Sequence, residues 1–172
     1  GSFVNDEVAG TVNGIWIVGS IQTSEDQSGK WAITNVPKLD GVAGATNYTA
    51  NGGSSWAISS SGNQELAMDF LAATFAGSTE LFDTILPETG AVTNWIPAGS
   101  SPVYQEPQPF FSDQPIFEMV VGFGEKVPSN NTGAYYYEGR NAIGVASTEY
   151  LGGADLDTAL ANAQQQVEFE MQ

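Results

Sequence analysis

Any chemistry in this chain has to be done without histidine and without cysteine, because the sequence contains neither. That removes the imidazole base of a Ser-His-Asp triad, imidazole-ligated zinc, thiol nucleophiles, thiolate metal sites and a disulfide framework. Carboxylate, Tyr, Lys or a bound metal would have to carry any reaction. Carboxylates do cluster at Asp6-Glu7, Glu25-Asp26 and Asp155/Asp157. None of these has an EF-hand spacing, and neighbours in sequence do not define a pair across a glycosidic bond, so they read as solvated faces or helix ends. GIWIVGS and GGSSWA lack the lysine and the spacing of a phosphate loop. The expectation is a binder, not an enzyme, with no cofactor and no metal.

Residues suited to binding are more prominent. Gly52-Gly53-Ser54-Ser55-Trp56 can form a loop whose backbone approaches a ligand, since glycine permits the approach while N–H groups and hydroxyls offer hydrogen bonds. The same five residues also suit an ordinary glycine turn before a strand. Arg140 follows Tyr136 by one helical turn, so the two share a face. Its guanidinium could donate a fork of bonds to ligand hydroxyls, or pair with Glu138 or Asp155. Trp16 lies in VAGTVNGIWIV, where pattern alone reads as the core of a strand. Trp95 and Tyr104 sit in or near a proline-rich connecting stretch and read as packing instead of ligand contact.

The elements that would position these residues follow from periodicity and punctuation. Residues 8 to 18 suit a helix end and then a strand, with a turn or bulge at Asn13-Gly14, and WAITNVP suits a short strand stopped by Pro37. Residues 40 to 55 are loop-like. Ser61 with Gln64 fits a capping box for a helix over about 62 to 76, with Leu66, Ala67, Phe70, Leu71 and Thr74 at helical spacing. A short helix from Thr79 to Leu86 should stop before Pro87. Pro97, Pro102, Pro107, Pro109 and Pro115 forbid a long helix between 96 and 115, and one helix is expected over 115 to 124. Residues 133 to 150 form a helix with the stripe Gly139, Ile143, Ala146 and Tyr150, ended by Gly152-Gly153. Asp155 then caps a last helix with Leu156, Leu160, Ala163 and Val167 on its apolar face and Gln164 to Gln166 toward water.

With 172 residues and 41% hydrophobic content, the chain can bury one ordinary core, as one domain or as a piece of a larger one. Twenty acidic residues against four basic ones, Lys30, Lys38, Lys126 and Arg140, give a net charge of -16. Such a surface repels phosphate backbones and anionic lipid, so nucleic acid is not an expected partner. There is no signal peptide and no apolar run long enough to span a bilayer. Gly1-Ser2 reads as a cloning remnant, which leaves room for an export signal upstream.

Taken in order, three blocks resemble family 1 extracellular solute-binding proteins of ABC transporters, the maltose-binding-protein-like group. DEVAGTVNGIWIV is similar to the segment in which small residues lead to a Trp in the sugar cleft. NGGSSWAISSSGNQELAMDFLAATF is similar to the family's Gly-Gly-Ser-Ser-Trp stretch and the helix after it. TGAYYYEGRNAIGVASTEYLGGADLDTALANAQQQV resembles the final helices. The resemblance implies an α/β, periplasmic-binding-protein-like two-lobed fold, of which this chain is the C-terminal portion. Residues 3–48 would belong to the C-terminal lobe, 49–98 to the N-terminal lobe, 99–104 to a hinge connector and 105–172 to C-terminal-lobe helices. It implies ligand-binding roles for Trp16, Gly53, Ser54, Trp56, Tyr136 and Arg140, with Trp16 and Tyr136 as aromatic platforms. Its implied partners are an uncharged sugar or oligosaccharide, an ABC transporter permease and the missing N-terminal half of the parent protein, in an extracellular or periplasmic setting with a lipid anchor on the parent. A stand-alone carbohydrate-binding or adhesive module is the alternative, and a carboxylate-dependent glycoside hydrolase fits less well.

Overall fold

A computed structural model describes residues 2–51, 53–129 and 132–172. The chain divides into two compact units, Gly1–Pro128 and Ser129–Gln172. Among the described residues the regular structure is helical, with a single antiparallel bridge between Gln108 and Gln114 and no sheet. The expected α/β, two-lobed fold class is therefore overturned.

Two segments account for the difference. In the first, the Asn13 side chain accepts the Gly14 N–H at 2.8 Å, and Ile17 N–H reaches back to the Gly14 carbonyl at 3.2 Å. This turn starts helix α1, Ile17–Ile21, instead of a strand, and the helix buries Val18 and Ile21, which lie three positions apart on one face. In the second, WAITNVP is extended but has no strand beside it. The Gln114 side-chain amide takes that place, accepting from Ile33 N–H at 2.6 Å and donating to the Ile33 carbonyl at 3.1 Å. Ser112 Oγ donates to the Trp31 carbonyl at 2.9 Å. Polar side chains thus satisfy backbone groups that a ladder would otherwise use.

Helix α2, Gln64–Ala73, is capped by Asn63, whose side chain accepts Leu66 N–H at 3.0 Å. The expected cap, Ser61, is instead engaged with Ser59, hydroxyl to hydroxyl at 2.8 Å. Helix α3, Thr79–Thr89, starts at Ser78, which accepts Leu81 N–H at 3.1 Å, and runs through Pro87. A proline in the last turn forfeits one bond to the carbonyl four residues back, which a helix end tolerates. Gly90, at φ 66°, closes α3, and a Cβ there would meet Val18 Cγ2 at 3.0 Å.

The proline-rich stretch forms short turns with proline in their first residues: α4, Ile96–Gly99, and 3₁₀ turns at Pro102–Gln105 and Pro109–Phe111. These turns feed the core of the first unit, where Tyr104 and Phe111 pack with Val18, Leu86, Ile116 and Phe117. Tyr104 is fully buried in this core and so packs instead of facing a ligand. Its hydroxyl accepts Thr93 N–H at 3.2 Å. Burial pushes its pKa above the ordinary tyrosine value against the lowering effect of that bond, with the Asp83 charge a further raising influence. Helix α5, Ile116–Gly124, supplies Ile116 and Phe117.

The second unit is a hairpin of α6, Tyr136–Leu151, and α7, Leu156–Glu170. Gly153, at φ 98°, turns the chain between them. Asp155 caps α7, accepting from the Thr158 N–H and hydroxyl, each at 2.9 Å. Those two bonds, the backbone one first, hold its carboxyl below the usual carboxylate range. The seam is Ala142 and Ala146 against Ala159 and Ala163, flanked by Val167. Of the expected stripe, Ala146 belongs to it, while Ile143 and Tyr150 are 51% and 52% exposed. Alanines allow the closer helix approach, and the bulky residues are left outside.

Candidate functional site

Each unit presents its own group of binding-type residues. In the first, Trp16 is the residue before α1 and is 54% exposed. Its ring folds over Gly14, where a Cβ would fall inside the indole, so glycine is what lets the ring lie there. Asn13 stands beside this platform, and the Asn51 amide donates to its Oδ1 at 3.4 Å, so the loop around 51 reaches the loop around 13. An exposed indole with side-chain amides nearby can cover an apolar face and bond the polar rim around it.

Gly53 has φ 132°, a conformation that favours glycine, and Ser54 and Ser55 are exposed after it. Gly52 lies outside the described residues. Trp56, 66% exposed, rests on Phe75 with ring centroids 4.8 Å apart at 40°. Phe75 in turn meets Phe82 edge-on at 6.4 Å and 71°. Phe82 is buried. The three rings form a relay from core to surface that holds an exposed indole in a fixed place at little entropic cost. Sequence reading missed Phe75 and Asn51. Phe75, four residues after Leu71, continues the stripe expected of α2 and so reads as helix core, and Asn51 is one polar residue among many in a loop.

In the second unit, Tyr136 and Tyr137 pair edge to face at 5.3 Å and 75°, 47% and 67% exposed. Arg140 follows on α6 and lines a shallow groove with Asn141, Gly144, Val145, Thr148 and Glu149. Of its two candidate carboxylate partners, Asp155 is engaged with Thr158. Glu138 Oε2 is buried with no hydrogen-bond partner, so Arg140 does not bond that oxygen. Arg140 is an exposed residue.

Trp16, Gly53, Ser54 and Trp56 thus belong to the first unit, and Tyr136 and Arg140 to the second. Among the described residues no group of three or more acidic side chains could hold a metal ion, and no helix is long and apolar enough to cross a membrane. Each unit by itself offers exposed aromatic faces, with side-chain amides and hydroxyls in the first and Arg140 in the second, groups of the kind that can stack and hydrogen-bond.

No family model matches the chain. It is similar to the lactose-binding protein of Rhizobium radiobacter, 31% identical over 172 residues, an alignment that takes in 99% of this chain and 40% of that protein. The chain therefore spans two-fifths of the length of a relative named for binding a sugar.

Proposed function

We propose that this chain is the carbohydrate-binding portion of an extracellular solute-binding protein that captures an uncharged sugar or oligosaccharide and presents it to an ABC transporter permease. The observation that carries this reading is the similarity to a lactose-binding protein along 99% of the chain. The exposed rings of Trp16, Trp56 and Tyr136 support it. A sugar ring has a flat C–H face bordered by hydroxyls; in the first unit an indole can cover the face, and Asn13, Asn51 and Ser54 have the donors and acceptors for the border. Stacking that removes about 100 Å² of apolar surface contributes on the order of 2.5 kcal/mol before losses. A chain of net charge -16 favours neutral over anionic solutes. On this reading the chain works outside the cytoplasm, as part of a lipid-anchored protein.

Tryptophan fluorescence titration with lactose and a panel of neutral sugars tests the reading. Since the chain covers 40% of its relative, binding by these residues alone should be weak, about millimolar, or roughly 4 kcal/mol. The response should vanish in the Trp16→Ala or Trp56→Ala variant. No saturable response to any neutral sugar would sink the proposal, and micromolar affinity would show that the whole site lies within these residues.

A further inference from the structure

Asparagine is followed by glycine at Asn13-Gly14 and at Asn51-Gly52. A glycine in that place leaves the next backbone nitrogen unshielded by a Cβ. At Asn13 the fold adds to this. The side chain is exposed, and its Oδ1 accepts the Gly14 N–H at 2.8 Å, which keeps the Gly14 nitrogen close to Cγ, the carbon that bears that oxygen. From a second loop, the Asn51 side-chain amide donates to the same Oδ1 at 3.4 Å. Other asparagines are placed differently. Asn63 Oδ1 is engaged by Leu66 N–H, and the backbone N–H after Asn94 is donated to Thr93 Oγ1 at 2.9 Å. Asn141 and Asn162 lie inside α6 and α7, where the next N–H belongs to the helix ladder.

We infer that Asn13-Gly14 is a site of spontaneous self-modification, at which water converts the asparagine to aspartate and isoaspartate through a cyclic imide. Hydroxide removes the Gly14 amide proton, and the nitrogen's electron pair attacks Asn13 Cγ. The N–Cγ bond forms and the Cγ–Nδ2 bond breaks. Nδ2 leaves as ammonia, taking a proton from water and regenerating the hydroxide. Water then opens the ring at Cγ, which leaves aspartate, or at the Asn13 main-chain carbonyl, which leaves isoaspartate. Holding the nitrogen near Cγ lowers the entropic cost of closing the ring. As the ring closes Oδ1 becomes an oxyanion, and with the Gly14 proton gone the Asn51 amide is the donor left to it among the described residues. The product bears on Trp16. Isoaspartate adds a main-chain carbon just before the turn in which the Gly14 carbonyl accepts Ile17 N–H at 3.2 Å, and the Trp16 ring lies over Gly14 in that turn. The step therefore limits how long the indole keeps its position.

The test is incubation of the chain in mildly alkaline heavy-oxygen water, with every asparagine followed by peptide mapping and mass spectrometry. Asn13 should be converted, its products carrying heavy oxygen, at a rate proportional to hydroxide, while Asn63, Asn94, Asn141 and Asn162 persist. An Asn13 that survives as long as those four would overturn the inference. The Asn51→Ala variant also removes the second Asn-Gly pair, so conversion in that region reports on Asn13 alone. In the folded variant, conversion should slow about threefold, the scale of one long neutral hydrogen bond. In urea, where the two loops separate, the variant and the unsubstituted chain should convert Asn13 equally fast. An unchanged folded-state rate, or a slowing that persists in urea, would overturn the part given to Asn51. No sugar is involved, so these outcomes stand apart from the sugar titration.

Discussion

Trp16 and Trp56 are both exposed indoles, yet they are held differently, and substitutions separate the two arrangements. Trp16 lies over Gly14, so Gly14→Ala should displace a movable side chain instead of breaking the backbone. A shifted tryptophan emission with an unchanged melting temperature is expected, and a large drop in melting temperature would show that the ring cannot move aside. For a ring 54% exposed, Trp16→Ala should cost much less stability than the about 3–5 kcal/mol of a core Trp. Under the sugar-binding function proposed above, it should weaken sugar binding by about 1.5 to 3 kcal/mol, as should Tyr136→Ala. Calorimetry beside thermal unfolding distinguishes the roles: lost stability with unchanged affinity would make Trp16 structural. Arg140→Lys keeps the charge and removes the planar fork, so a large loss of affinity there would favour bonding to ligand hydroxyls over a generic positive charge.

Helix ends explain more of the local structure than helix stripes do. Asp155 caps α7 as a carboxylate, and its pKa is lowered in the fold. A lowered folded-state pKa means that the cap's contribution is present above the unfolded value, near 3.9, and is lost as pH falls through the folded value. Amide exchange in the first turn of α7 should therefore accelerate below that window in the native chain. In Asp155→Asn, whose amide oxygen caps without titrating, the acid-dependent step should be missing. Equal acid sensitivity in both would show that some other carboxylate governs the end of α7. The core places a different demand on α3: Leu86 is fully buried, so Leu86→Ala should cost about 2–5 kcal/mol by chemical denaturation.

At the scale of the molecule, charge is the dominant liability. Twenty acidic side chains and four basic ones leave little to offset self-repulsion within a compact body. Salt screens exposed charges over about 10 Å at 0.1 M. Raising sodium chloride from low millimolar to about 0.5 M, where screening is stronger still, should raise the melting temperature. A melting temperature that does not move, or falls, would show that repulsion is not what limits stability.

The sequence by itself determined several helix ends where a short-range device does the work, although the cap of α2 falls on Asn63 and not Ser61, and α3 runs through Pro87. The Asp155 cap, the Gly152-Gly153 break, the segmentation by Pro97, Pro102 and Pro109, and helix α5 were all legible because their causes lie within a few residues. The aromatic and glycine-serine residues of the candidate site were chosen by type alone, and the water-facing Gln164 to Gln166 run was legible by pattern. Tertiary structure decided what periodicity leaves open. Apolar spacing marks a stripe but not which edge is covered, so the α6 seam falls on Ala142 and Ala146 while Ile143 and Tyr150 stay exposed. The extended Trp31–Ile33 segment reads as a strand in sequence, but a strand needs a partner from elsewhere in the chain, and here Gln114 and Ser112 meet its backbone with side chains. Tyr104 became core for the same kind of reason: only the folding back of a proline-rich segment brings it onto Leu86 and Phe111, and no local pattern carries that long-range packing.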